Sequence, residues 1–100
     1  MMQGDSYHIP ITIKRSDGSL VSDKDVLDVE VVLGNLTKKA SSGQLHYEEG
    51  QWLFPLTQEE TFGFATVVNA QMRIKWPNGE VEGCNLGKIN VSYSRSKEVL

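Results

Sequence analysis

The sequence predicts an all-β fold, an Ig-like antiparallel β-sandwich of about seven to eight strands with one short helical turn. Three observations carry that prediction. Apolar residues recur at alternate positions in strand-length segments, as in Tyr7, Ile9, Ile11 and Ile13 or Ala70, Met72, Ile74 and Trp76. Turn signals separate these segments at short spacing: Asp17-Gly18, Gly34-Asn35, Glu49-Gly50 and Asn78-Gly79. No stretch of a dozen residues holds a helical period. A chain of 100 residues has room for one core, so 1–100 reads as a single domain, with 94–100 a flexible polar tail.

The first strand alternates Tyr7, Ile9, Ile11 and Ile13 with His8, Pro10, Thr12 and Lys14. Pro10 lacks an N–H and places this strand at a sheet edge or a bulge. Ser16-Asp17-Gly18 supplies a three-residue loop with glycine at the left-handed position, which sets Ile13 opposite Val21. Ser22-Asp23-Lys24-Asp25 reads as a turn with a capping side chain. Val29, Val31 and Leu33 form the next strand, and Gly34-Asn35 turns it into Leu36–Ala40. That register sets Leu33 against Leu36 but Val31 against Lys38, a chemically poor pair.

Glu49-Gly50 joins two strands in which Tyr47 faces Trp52 and Leu45 faces Phe54. Pro55 ends or bulges the second of them. Thr57-Gln58-Glu59-Glu60 is a capping-box sequence. It starts a helical turn that crosses between sheets, with Phe62 or Phe64 plugging the end of the core. Val68 to Glu82 forms a last hairpin: a two-residue Asn78-Gly79 turn pairs Trp76 with Val81 and Lys75 with Glu82. Gly83 to Gly87 reads as a bend, after which Ile89, Val91 and Tyr93 make the final strand. The inward positions, among them Val29, Val31, Phe54, Met72, Ile74 and Trp76, fill two packed sheets.

Composition narrows function by exclusion. Ten basic against 13 acidic residues give a formal charge of -3, and Lys14-Arg15, Lys38-Lys39, Arg73 and Lys75 all have acidic neighbours. That pattern implies a mixed surface and no nucleic-acid partner. No apolar run reaches the ~20 residues of a membrane span, and the N-terminus has no signal-peptide pattern, so no membrane partner is expected. The one cysteine, Cys84, allows no internal disulfide; Glu80 and Glu82 beside it oppose thiolate formation, so it reads as a small, partly buried residue.

The chemistry-bearing residues point away from catalysis. His8 and His46 lie at outward strand positions without a third ligand. Glu48-Glu49 and Glu59-Glu60 are adjacent in sequence and do not by themselves span a cleft as a glycosidase pair must. The glycines are scattered turn residues, with no phosphate-cradling motif. No catalytic, cofactor or metal site is therefore expected. Leu53, Arg73 and Lys75, at outward positions, are the candidate partner contacts. The aromatics Tyr47, Trp52 and Trp76 could stack sugars only if exposed, and their alternation turns them inward.

Three segments together carry a resemblance: Met2-Gln3-Gly4-Asp5-Ser6-Tyr7-His8-Ile9-Pro10-Ile11-Thr12-Ile13, Gln51-Trp52-Leu53-Phe54-Pro55-Leu56-Thr57-Gln58-Glu59-Glu60-Thr61, and Ala70-Gln71-Met72-Arg73-Ile74-Lys75-Trp76-Pro77-Asn78-Gly79-Glu80-Val81. They resemble small structural proteins of phages and prophages of Gram-positive bacteria. The layout of Asp17-Gly18, Leu56–Thr61 and Asn78-Gly79 is similar to the N-terminal Ig-like domain of phage upper baseplate proteins, which continue into further segments that this sequence does not have. The resemblance implies a non-enzymatic virion protein of the tail, baseplate or head–tail region, assembled in the host cytoplasm. Its implied partners are other phage structural proteins, including further copies of itself, met by strand pairing at an edge such as Ile9–Ile13. A carbohydrate-binding module for host-wall glycans is the alternative; it requires two aromatics on one exposed face.

Overall fold

In the computed structural model, which describes residues 1–100, alternation and turn chemistry produce seven strands and one helix. In order these are β1 (Tyr7–Ile11), β2 (Asp28–Leu33), β3 (Leu36–Lys39), β4 (His46–Glu48), β5 (Gln51–Leu56), α1 (Gln58–Phe62), β6 (Val67–Lys75) and β7 (Val81–Asn90). They form two antiparallel sheets, one ordered β1-β5-β4 and the other β3-β2-β6-β7. Matched in chain order to strands B, C, C′, D, E, F and G of an immunoglobulin-type sandwich, they divide as in that fold, with C′, C, F and G in one sheet and B, E and D in the other. The all-β sandwich expected from the sequence is the observed architecture. No helix is long and apolar enough to cross a membrane.

The core is built by the alternating residues of both sheets. Val29, Val31 and Leu33 of β2 and Val68, Ala70, Met72 and Ile74 of β6 face Ile11, Trp52, Phe54 and Leu56 of the other sheet, all of them buried. Phe64, just past α1, closes one end. Tyr47 meets Trp52 edge-on with ring centroids 5.3 Å apart, as their cross-strand pairing requires. Ile9, Tyr47, Trp76 and Ile89 are packed against this core but only half-buried, less than alternation alone implies.

Most turns fall where the sequence puts them. Arg15 N–H donates to the Ser19 carbonyl and Gly18 N–H to the Arg15 carbonyl, each at 2.9 Å, with Gly18 at φ 86°. Val21 N–H then donates to the Ile13 carbonyl at 2.9 Å, which aligns their apolar side chains. Glu49 and Gly50 both have positive φ, 48° and 83°, the backbone of a two-residue hairpin turn. Pro10 sits on the edge strand β1, and Pro55 is tolerated in β5 because the short β4 pairs only with Gln51–Leu53.

One hairpin departs from expectation. Lys75 pairs with Val81 and Ile74 with Glu82, one residue away from the expected register. The cause is Pro77. A two-residue turn on Asn78-Gly79 needs an N–H on residue 77, and proline has none. The loop instead takes Pro77-Asn78-Gly79: Trp76 N–H donates to the Glu80 carbonyl and Gly79 N–H to the Trp76 carbonyl, both at 2.9 Å. Proline's fixed φ suits the first corner of that turn, and Gly79, at φ 89°, takes the left-handed corner. A one-residue slip exchanges the two faces of the strand. Val81 consequently faces out and is 59% exposed. The expected bend at Gly83–Gly87 is also corrected: β7 runs unbroken through it, and Leu86 is absorbed as a bulge opposite Ala70/Gln71.

The ends of the chain meet at the opposite pole. Met2 forms a parallel bridge with Ser92, and Gln3 N–H donates to the Ser92 carbonyl at 2.9 Å. The Gln3 side chain is buried; its amide donates to the Phe64 carbonyl at 3.0 Å, and its oxygen accepts from Ser94 N–H and from the Lys97 ammonium. Thr61, fully buried, accepts from Gly4 N–H and donates to the Asp5 carbonyl. None of these contacts is visible as a periodicity, so the sequence pattern does not announce them.

Candidate functional site

The strand at the shifted register is the most open element of the molecule. Every residue of β7 except Ile89 is exposed, on both faces. It lies at the edge of its sheet with β6 as its one neighbour. Hydrogen-bonded and non-bonded pairs alternate along an antiparallel ladder. Counting from the bonded pair Trp76:Glu80, the bonded partners are Ile74:Glu82 and Met72:Cys84. Val81, Gly83 and Asn85 therefore turn their N–H and C=O groups away from β6 into solvent. Beyond the bulge, counting back from the Val91 N–H bond to the Thr66 carbonyl, Lys88 and Asn90 do the same.

The inward side of β7 opens into a gap between the sheets. Met72 and Ile74 of β6, Leu86 of β7, Ile13 and Val21 of the facing hairpin, and Trp76 line a groove of about 660 Å³. Glu82 and Cys84 project at its mouth, and Trp76 Nε1 donates to Glu82 Oε1 at 3.3 Å. Cys84 is exposed, a correction to its reading as a partly buried residue. It pairs with buried Met72 on the core-side face, but β7 is uncovered there.

The outer face of the four-stranded sheet carries charge. Lys39, Glu30 and Arg73 stand side by side across β3, β2 and β6. Arg73 holds Glu30 Oε1 with two nitrogens, at 2.8 and 2.6 Å, while Lys39 is 3.7 Å from Glu30 Oε2. Lys75 stands beside Asp28 in the next row, with Val81 on its other side. Of the candidate contacts, Arg73 and Lys75 thus share one face, with Arg73 already paired, whereas Leu53 lies on the other sheet between Pro10 and His46. The structure brings the two cations together and leaves Leu53 apart from them.

Lys38 resolves the poor pairing with Val31. It is 9% exposed, and its ammonium donates to the Pro55 carbonyl at 2.6 Å and to Glu60 Oε1 at 3.0 Å, 5.2 Å from the centre of the Phe54 ring. Glu60 Oε1 also accepts from Thr57 N–H, completing the capping box with the Thr57 hydroxyl on Glu60 N–H. Burial acts to raise the Glu60 carboxyl, but the Thr57 N–H and the Lys38 ammonium outweigh it and hold the carboxyl below its ordinary value. Glu60 is thereby committed to tying α1 to the four-stranded sheet.

The remaining titratable groups are dispersed. His8 and His46 are exposed and flank β5 opposite Pro55 and Leu53. No three His, Cys, Asp or Glu residues are arranged to hold a metal ion. Trp52 is buried and donates from Nε1 to the Val21 carbonyl at 3.3 Å, so it offers no stacking face. Comparison of the chain with protein-family models, curated proteins and solved structures returns no match.

Proposed function

We propose that this chain is a non-enzymatic structural or accessory protein of a phage or prophage virion, acting by protein–protein contact. The virion context comes from the sequence resemblance alone. The mode of action is supported by one observation, the edge β7 with its outward N–H and C=O groups at Val81, Gly83 and Asn85. An edge of that kind accepts an added strand, with main-chain bonds giving affinity and alternate side chains giving selectivity. β1 is an edge as well, as the sequence reading expects, but it is half as long and carries Pro10. β7 has no proline and is the better acceptor.

The charged row beside β7 suits the same role. Lys75 and Val81 lie next to the open edge and would contact an added strand on its outer face. Of the three aromatics weighed for the glycan-binding alternative, Trp52 is buried, and the half-buried Tyr47 and Trp76 lie on β4 and just past β6, in different layers. The test is composition. Particles purified from the source strain, analysed by mass spectrometry, are expected to contain this chain in fixed ratio to the other virion proteins. Particles that assemble without it sink the virion reading.

A further inference from the structure

We infer that residues 94–97 form a strap closed over the N-terminal segment, latched by one cation, the Lys97 ammonium, and able to open without unfolding the sandwich. The chain leaves the four-stranded sheet through Ser92, whose N–H donates to the Met1 carbonyl and whose carbonyl accepts from Gln3 N–H, each at 2.9 Å. Beyond Ser92 the main chain makes a single bond to the body, from Ser94 N–H to Gln3 Oε1 at 3.3 Å. The strap then turns on itself. Ser94 Oγ donates to the Ser96 carbonyl at 2.5 Å, and Glu98 N–H donates to Ser96 Oγ at 3.3 Å. That turn brings Lys97 back to Gln3.

Three groups meet the ammonium. It donates to Gln3 Oε1 and lies 5.9 Å from the centre of the Phe62 ring and 5.8 Å from that of Tyr93. Both rings are within the distance at which a ring face attracts a cation. Gln3 is 6% exposed, and its oxygen accepts only from Ser94 and Lys97. A buried acceptor without a donor is costly, so the strap stays closed while the oxygen is shielded. Opening the strap hands that oxygen to water. The N-terminal segment keeps its remaining bonds, from the Gln3 amide to the Phe64 carbonyl and between Thr61 and both Gly4 and Asp5. No strap residue belongs to the apolar core, and neither Arg95 nor Lys97 pairs with a carboxylate. Opening therefore breaks only the contacts at Gln3, Phe62 and Tyr93, which makes the strap a local two-state element whose balance one charge sets.

The test uses the full chain and reads the Ser94 amide by NMR, because that N–H is bonded to Gln3 only in the closed strap. Lys97→Met keeps the stem and deletes the cation. It is expected to speed hydrogen exchange at Ser94 about tenfold and to leave the melting temperature unchanged. Lys97→Arg retains a cation that stacks on aromatic rings and is expected to exchange at close to the wild-type rate. Tyr93→Leu removes one ring and is expected to fall between the two. In the wild type, the Lys97 ε-methylene protons lie between two rings and are expected upfield of those of exposed Lys24. Equal Ser94 exchange in wild type and Lys97→Met, or Lys97 protons at the Lys24 position, overturns the latch. Faster exchange accompanied by a fall in melting temperature overturns the independent opening of the strap.

Discussion

Lys38→Met is the sharpest probe of how this sandwich is held together. The substitution keeps most of the aliphatic stem against Phe54 and removes the ammonium with its bonds to the Pro55 carbonyl and Glu60. A charge-assisted hydrogen bond contributes about 1.5–3 kcal/mol, an exposed ion pair about 0–1, and breaking a fully buried one costs about 3–5. The side chains are 11% and 23% exposed, between those limits. Part of the loss is offset because an ammonium no longer has to be desolvated. The expected destabilisation is about 2 kcal/mol, which in a domain of this size lowers Tm by about 8–16 °C. Urea unfolding followed by the fluorescence of buried Trp52 measures it. The acid limb adds a second reading. Glu60 is held below its ordinary value in the fold, so its contribution is present above the unfolded carboxylate value and is lost as pH falls through the lower folded one. Lys38→Met is expected to flatten that acid loss, with the Thr57 N–H bond retaining part of it. A variant within about 0.5 kcal/mol of wild type, or more stable, would refute the view that this ammonium ties the sheets and the helix together.

The other expectations test the cap and the chain ends. Thr57→Ala removes the hydroxyl that accepts from Glu60 N–H and is expected to cost about 1 kcal/mol in the same urea assay. Gly4→Ala and Gly79→Ala both place a side chain at left-handed φ, 87° and 89°, for about 1–2 kcal/mol of backbone strain each. At Gly4 a Cβ also lands 2.8 Å from Phe62 Cζ, whereas at Gly79 it meets open space, so Gly4→Ala is expected to melt lower. Equal melting temperatures would mean that the N-terminal segment is not seated on Phe62.

What the sequence makes legible here is whatever has a period or a turn signature. β2, β5 and β6 alternate cleanly, and the Thr57–Glu60 box names its own partners. The Lys38 site is half-legible. The register that sets Lys38 against Val31 follows from Gly34-Asn35, but its partners Pro55 and Glu60 come from the far side of the sandwich. A buried lysine reads as a bad pair until the residues that satisfy it are in view. Gln3 and Thr61 are hidden for the same reason, since both are polar residues whose burial is made acceptable by partners 56 or more positions away.

The inner face of β7 was hidden by a different cause, a competition between two turn signals. Asn78-Gly79 is the strongest short-range hairpin signature, but it presumes a donor at the preceding residue, and Pro77 removes that donor. Shifting the turn by one residue sends Val81 outward and brings Glu82 and Cys84 to the core side of the sheet. Glu82 stays exposed and reaches Trp76 Nε1 rather than the apolar core, in a groove that Lys14 and Arg15 also line, and β7 remains uncovered on that side. The inward place of Glu82 and Cys84 is thus a consequence of one proline. Had residue 77 carried an N–H, the register on Asn78-Gly79 would have set Val81 on the core face and Glu82 on the outer one.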